Sequence, residues 1–535
     1  MNIDIDLTVG EATIKLLEQY GVDTLFGIPG VHTLDFCKGL NLSSIRHVQA
    51  RNEQGAGFMA DGYARASGKP GVALVISGPG VTNALTAIGQ AYADSIPVLL
   101  LSSDAASYTL GKGWGCLHEV PSLTGTTAPL TAFSATAMSP QEVPGLIARA
   151  FSVFAGERPR PVHIAIPIDV LALPAAGDWD VIELPSRPAP TAQKIERACD
   201  LLRGARQPMI CVGGGAWLAG EAITGIAEKL GAAVIASSAG KGIVDDSHPL
   251  SLSAASARAE VQQYLKNADV VLAVGTELSE VDSFVETLEI NAKIIRIDLD
   301  PHKMNDLYPA EVAIIGGAKT TTEAIASRLG EADARAETAT EVAAIRNDIS
   351  HRLSASEQRH CKTLAVLRAA LPADTIVMGD ICQLVYTGAF AFNVAAPKLW
   401  HYPAGYCTLG CGLPDAIGAK LALPDRPVIA IAGDGGFMFT LQELVTAAEL
   451  KLPLPLILWN NDGLKQIQDD MKLRQIELVG VTGINPDFIG LAQSCRCHAL
   501  RIDNAQDLTD AVTAALKADR PTLIEVNEWD PWLNG

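Results

Sequence analysis

Short, unbroken apolar runs recur along the chain, each ending on glycines or polar residues, with helically spaced stretches between them. In the first third they cover residues 71–77 and 96–101, and the mixed stretches 22–26 and 46–49 also read as short strands. In the middle they cover 209–212, 233–236, 270–274 and 294–297, and in the last third 375–378, 428–432 and 454–459. A run without alternation suits a strand buried on both faces. Helical spacing covers 8–20, where Ala12, Ile14, Leu16 and Leu17 recur, and stops at Gly21. Residues 51–65 are rich in small side chains and predict a helix made for close packing. Residues 440–450 predict another, with Thr440 as its cap and Glu443 three positions on. Strands and helices that alternate across glycine-rich turns indicate parallel α/β architecture.

Two stretches interrupt this rhythm. Residues 174–193 hold four prolines and few periodic apolar positions, so they read as a linker. Residues 332–354, rich in Ala, Glu and Arg, read as a helical connector. With 535 residues and 48% hydrophobic content the chain is folded and too long for one core. A net charge of −19 argues against a nucleic-acid partner, which needs a basic face. The ten cysteines are scattered, and the close pairs Cys407/Cys411 and Cys495/Cys497 lack zinc-finger spacing, so reduced thiols are expected. The acidic start lacks a signal pattern, and no apolar run approaches the roughly 18 residues of a membrane span. A soluble cytoplasmic protein with no membrane partner is the expectation.

The densest chemistry lies between 430 and 462. The 428–432 strand breaks on Gly433-Asp434-Gly435-Gly436, and the 454–459 strand ends on Asn460-Asn461. If those strands are adjacent and parallel, Asp434 and Asn461 both stand at carboxyl ends, where open α/β sheets bind ligands. A carboxylate, an amide oxygen and a nearby main-chain carbonyl make half of an octahedral oxygen shell, which Mg²⁺ accepts together with substrate phosphates. Glycines let the backbone approach an anion, and a following helix adds N–H dipoles. The stretch therefore reads as Mg²⁺ carrying a diphosphate.

Strand, Gly-Asp-Gly, helix, strand and Asn-Asn, with Asn461 lying 27 positions after Asp434, resembles the signature of thiamine-diphosphate (ThDP) enzymes. It is similar to the motif of acetolactate synthases, pyruvate oxidases and benzoylformate decarboxylases. The resemblance covers nearly the whole chain. It implies three consecutive doubly wound parallel-sheet domains: pyrimidine-binding (1–180), central (190–335) and diphosphate-binding (356–535). It puts the family's cofactor-activating glutamate on Glu53, and a carboxyl group sheltered from water can share a proton with a neutral heterocycle nitrogen. The turn Asp380-Ile-Cys382-Gln383 would touch the diphosphate, although glycine or serine is more usual where Ile381 and Cys382 stand. The segment with Cys407 and Leu409 resembles the family's cofactor-bending one, and Leu409 matches the bulky apolar residue that would wedge between the cofactor rings. Gly433, Gly435 and Gly436 would line the cofactor beside Asp434 and Asn461. The Gly463 carbonyl would be the third protein ligand to Mg²⁺.

His32 and His118 stand in loops that resemble substrate-facing ones, and either could shuttle protons near neutral pH. His163 is expected to be structural. The middle third resembles the family's non-catalytic domain. A dinucleotide fingerprint there would need glycine at 218, which is Leu218, so nothing points to FAD or ADP. Residues 275–282 form a carboxylate-rich loop, either solvated or a wall that receives a cationic substrate end. Relatives commonly carry Tyr-Gly where this chain has Leu464-Lys465, a departure that bears on the substrate.

The resemblance implies non-oxidative decarboxylation of a 2-oxo acid to an aldehyde, with ThDP and Mg²⁺. Within the family the runs around Phe26, Asn52, Leu110 and Gly275 look most like 5-guanidino-2-oxopentanoate (2-ketoarginine) decarboxylases. The alternative is an acetolactate-synthase-like carboligase acting on pyruvate. The family's cofactor site forms across a subunit interface, which implies a homodimer or homotetramer.

Overall fold

The computed structural model describes residues 7–330 and 334–534. The N-terminal hexapeptide and the first two residues of the predicted connector lie outside them. The connector itself forms a helix at Thr338–His351.

Three sheets follow one another, each with every strand pair parallel. The first contains β1 (Thr24–Gly27), β2 (Arg46–Gln49), β3 (Gly71–Val75), β4 (Val98–Asp104), β5 (Phe133–Thr136) and β6 (Val162–Pro167), in the order β2-β1-β3-β4-β6-β5. The second contains β7 (Pro208–Val212), β8 (Ala233–Ala236), β9 (Val270–Val274), β10 (Lys293–Asp298) and β11 (Val312–Ile315), in the order β11-β10-β9-β7-β8. The third contains β12 (Ile376–Gly379), β13 (Trp400–His401), β14 (Val428–Gly433), β15 (Pro455–Asn460), β16 (His498–Arg501) and β17 (Thr522–Asn527), in the order β13-β12-β14-β15-β17-β16. In each sheet the chain runs outwards from a central strand in both directions, the doubly wound arrangement.

Most of the runs became interior strands, and 46–49 and 233–236 became the edge strands β2 and β8. Every residue of β3, β4, β9, β14 and β15 is buried, because helices cover both faces of a parallel sheet. Of the strands outside those runs, β5, β11, β13 and β16 are edge strands, whereas β6 and β17 are interior. Edge strands have one neighbour and need fewer apolar side chains, so β5 is half-buried throughout and β16 is half-buried at its centre and exposed at both ends.

The predicted cap at Thr440 is not made. The helix starts at Glu443 without a side-chain cap, and Thr440 Oγ1 donates instead to the Gly410 carbonyl at 2.6 Å. Glu443 is drawn away too. Its buried carboxylate accepts from Arg51 N at 3.0 Å, Asn52 N at 3.1 Å and Thr446 Oγ1 at 2.8 Å. A long-range partner, the unsatisfied start of the Glu53–Ser67 helix, outcompetes the local one.

That helix also explains its small residues. It packs along the Gly412–Ala422 helix of the last sheet, and a Cβ on Gly62 or Gly418 would collide with the carbonyls of Asp415 or Met59. Arg65 sits in this contact, bonded to Asp61 at 2.7 Å and Asp94 at 2.8 Å. The middle sheet is tied in through Asp246, which pairs with Lys241 at 2.6 Å and accepts from Val394 N at 2.9 Å. Among the described residues all ten cysteines are free, and no helix is long and apolar enough to cross a membrane.

Candidate active site

β14 and β15 are neighbours in register, with Gly433 opposite Trp459. Asp434 and Asn461 therefore leave adjacent strands at the same end of the sheet, as their spacing required. Asp434 is 1% exposed. Its Oδ2 accepts from Gly463 N and from Asn485 Nδ2, both at 2.7 Å. Its Oδ1 is buried with no partner. Burial raises the Asp434 carboxyl above the usual carboxylate range, and those amides pull it back. A buried carboxylate without a counter-charge costs several kcal/mol. A divalent cation at Oδ1 would remove that cost, so the residues present fit a metal.

Asn461 is oriented as well. Its Nδ2 donates to Glu528 Oε2 at 3.2 Å, which leaves the amide oxygen as the free end. Gly463, at φ +118°, follows Asp462, at φ +65°. The Gly463 carbonyl accepts from Lys465 N at 3.0 Å and keeps a second lone pair for a cation. Asn485 was not anticipated from sequence. It bridges Asp434 to Asn460 Oδ1 at 3.1 Å, from a segment with no periodic signal.

The surrounding turns converge on the same place. A Cβ on Gly435 would lie 2.8 Å from Leu464, and one on Gly436 would lie 3.3 Å from Leu409 Cδ2. Those glycines leave a shallow cradle of the kind a diphosphate needs. Leu409 is half-buried and stands apart from the apolar core around it, unlike an ordinary core leucine. Cys407, exposed and at φ +57°, precedes it. Cys382 lies against Gly433 and begins the Gln383–Ala391 helix, and burial pushes its thiol up to about 12. Gln383 Nε2 donates to Gln466 Oε1 at 3.0 Å. Asp380 is a brace, with its buried carboxylate accepting from Ile381 N, Gly410 N and Gly412 N. It joins the β12 turn to the Leu409 segment.

Lys465 pairs with Asp469 one turn further on, and Asp469 also accepts from Gln383 Nε2 at 3.3 Å. Its positive charge is thus matched within its own helix.

Glu53, His32 and His118 form a second group, at the carboxyl end of the first sheet. Residues 76–80 are its hub. Ser77 Oγ bonds His32 Nδ1 at 2.8 Å, a Cβ on Gly78 would lie 2.6 Å from the His118 carbonyl, and one on Gly80 would lie 3.7 Å from Glu53 Oε1. Glu53 is buried at the first position of its helix, with Asn83 Nδ2 donating to Oε2 at 3.0 Å. The His32 and His118 rings meet edge to face at 5.0 Å. Burial and the neighbouring His118 lower the His32 pKa, which favours neutral imidazole. His118, at φ +61°, keeps a buried Nδ1 without a partner. Glu119 ties down the glycine-rich loop before it through Gly113 N, Gly115 N and Cys116 N. His163 is structural, fully buried between Ser102, Thr127 and Ser134. Among the described residues no hydrogen bond or ion pair joins Glu53 to Asp434, Asn461 or Leu409.

The carboxylate-rich loop divides in two ways. Glu277 pairs with Arg158 and with Lys303 at 3.1 Å, and Asp282 accepts from Ser238 N at 2.8 Å and Ser279 Oγ at 3.1 Å. Glu280 is exposed, with no ion-pair partner among the described residues.

Two nucleotide-type sheets, with glycine cradles and a metal-ready carboxylate, define a ThDP enzyme, and the family comparison agrees. The thiamine pyrophosphate enzyme N-terminal TPP binding domain matches residues 7–123, the central domain 195–325 and the C-terminal TPP binding domain 380–526. The chain belongs to the thiamine pyrophosphate enzyme family, and thiamine diphosphate is its cofactor. It is 51% identical, over 97% of its length and 94% of the relative's, to a probable 2-ketoarginine decarboxylase of Pseudomonas aeruginosa. It is 32% identical to a probable acetolactate synthase large subunit of Methanococcus aeolicus, over 96% of this chain and 91% of that one. The acetolactate synthase isozyme 2 large subunit of Escherichia coli is 31% identical, over 96% and 94%.

Proposed function

We propose that this enzyme decarboxylates a cationic 2-oxo acid, 5-guanidino-2-oxopentanoate, to the aldehyde, with Mg²⁺ beside its ThDP. The observation that carries the metal reading is the orphaned, buried Asp434 Oδ1 beside an oriented Asn461. The substrate rests on the likeness to the 2-ketoarginine decarboxylase and on Glu280, a carboxylate left free for a guanidinium.

In this reading Asp434, Asn461 and the Gly463 carbonyl hold Mg²⁺, and Gly433, Gly435, Gly436, Cys382 and Gln383 line the diphosphate. Bound ThDP supplies an electron sink that lets the substrate carboxylate leave as CO₂. Glu53 Oε1, the oxygen not committed to Asn83, would hold the proton shared with the pyrimidine ring of the cofactor. Leu409, half-buried beside Gly436, would bear on the bound cofactor and help to position it, and such positioning can replace much of a barrier. His118, with its free Nδ1, or neutral His32 beside it delivers the proton that completes the aldehyde. The domain limits expected from sequence, 1–180, 190–335 and 356–535, are retained.

The two groups belong to one site when a second copy supplies the other half. Support comes from apolar side chains left in water near both: Val31, Trp114 and Leu117 by the histidines, and Leu473, Val479 and Ile484 beyond Asn461. A homodimer or homotetramer would cover them. A cytoplasmic setting accords with an enzyme of small 2-oxo acids.

A panel of 2-oxo acids, assayed for CO₂ and for aldehyde, tests the substrate. The guanidino acid should exceed pyruvate in kcat/KM by about 100-fold or more, of the order a buried or paired charge contributes. Preference for pyruvate with acetolactate as product would instead support the carboligase.

A further inference from the structure

We infer that Glu528 is a positioning residue that fixes which end of the Asn461 amide faces the metal. The inference rests on the reading of Asp434 and Asn461 as a cation site.

An asparagine amide has two ends of nearly equal size and opposite polarity, and only the oxygen can ligate a cation. Nothing in the backbone selects between them. Glu528 does, because a carboxylate accepts and never donates, so it tolerates only the NH₂ end of Asn461 towards it. Glu528 is completely buried, one residue past β17. Its Oε2 accepts from Asn461 Nδ2 at 3.2 Å. Its Oε1 accepts from Ser356 Oγ at 2.7 Å and from Arg359 Nη2 at 2.8 Å and Nε at 3.3 Å. Arg359 supplies the counter-charge, so the carboxylate stays ionised without needing the cation. Glu528 N also donates to the Asn460 carbonyl at 3.0 Å, which holds it at the end of β15. Partners one shell out from a metal typically change its affinity 10–100-fold.

The Glu528→Gln variant reverses the polarity of the contact. The glutamine oxygen stays on Arg359 and Ser356, and its NH₂ now faces Asn461. Asn461 then turns its oxygen to that NH₂ and presents its own NH₂ to the metal. The Asn461→Asp variant sets a second carboxylate against Glu528. Combining the two restores a donor facing an acceptor, with a free oxygen towards the metal.

Mn²⁺ binding to the full-length apoenzyme at saturating ThDP, read from the free-Mn²⁺ EPR signal, provides the test, with circular dichroism to establish folding. Both E528Q and N461D should bind Mn²⁺ about 10–100-fold more weakly than wild type. The double variant should recover at least tenfold over either. Wild-type affinity in E528Q, or a double variant no tighter than the weaker single one, would overturn the inference. If E528Q does not fold, N461D decides alone. An added carboxylate should tighten a cation site, so tighter binding in N461D would show that Glu528 exerts no control. Failure of the wild type to bind Mn²⁺ in a ThDP-dependent way would instead remove the cation-site reading itself.

Discussion

The middle and last sheets share one architecture, and two of their buried carboxylates, Asp246 and Asp434, are compensated differently. In the middle sheet Asp246 has Lys241 at 2.6 Å, and Asp306 has the buried Arg296 at 2.6 Å. Each of these two carboxylates has its own cation, although Asp246 Oδ1, like Asp434 Oδ1, has no hydrogen-bond partner. In the last sheet Asp434 is surrounded by amides alone, and one oxygen has no partner. Amides orient a carboxylate but do not neutralise it. Two carboxylates of similar burial can thus be told apart by where the compensating charge comes from, within the chain or outside it. The first sheet lies between them. Glu53 has one amide partner and His118 a free nitrogen, both beside the same turn.

The comparison can be broken most sharply at Asp434. Replacing it with alanine should abolish measurable ThDP–Mg²⁺ binding in calorimetry, a loss of two orders of magnitude or more when a charged ligand to a dication is removed. Undiminished affinity would place Asp434 with the self-sufficient carboxylates. At Glu53, substitution with glutamine should leave the fold and the cofactor in place. Deuterium exchange at the reactive carbon of the cofactor should slow by about 10²–10⁴-fold, the usual range for a lost acid–base group.

The opposite pattern is expected in the middle sheet. Lys241→Met strands Asp246 and should cost about 3–5 kcal/mol of stability in denaturant unfolding, with cofactor affinity unchanged at temperatures where the variant is folded. A smaller effect concerns His163 and His401, both lowered to about 3, chiefly by burial. Their folded pKa lies below the unfolded value near 6.5, so the unfolded chain binds protons first and stability falls as pH drops from about 6.5 towards 3. At pH 5 the loss is about 2 kcal/mol for each. A flat denaturation midpoint between pH 7 and pH 5 would contradict this.

Much of this was legible in the sequence. Unbroken apolar runs marked most of the interior strands, because burial on both faces leaves no room for polar positions. The Gly-Asp-Gly turn and Asn461 were readable because a cation and a phosphate restrict both residue type and strand position. Four edge strands, β5, β11, β13 and β16, were not, since a strand with one neighbour needs little apolar signal, and the interior β17 was missed as well. The Thr440 cap misled because a hydroxyl three residues before a glutamate looks the same whether or not a distant helix claims that glutamate. The carboxylate loop misled in part for a related reason. Arg158 and Lys303, far away along the chain, occupy Glu277.

By itself, then, the sequence determined which residues could bear charge and metal, and the ends of the sheets on which they stand. The tertiary structure decided which of those charges were answered. It turned Asp380 inward as a brace, matched Lys465 to Asp469, brought in Asn485, and set Glu528 against Asn461. The physical reason is that residue type is local, whereas compensation of a buried charge depends on what lies within a few ångströms in space. Chain position does not report that.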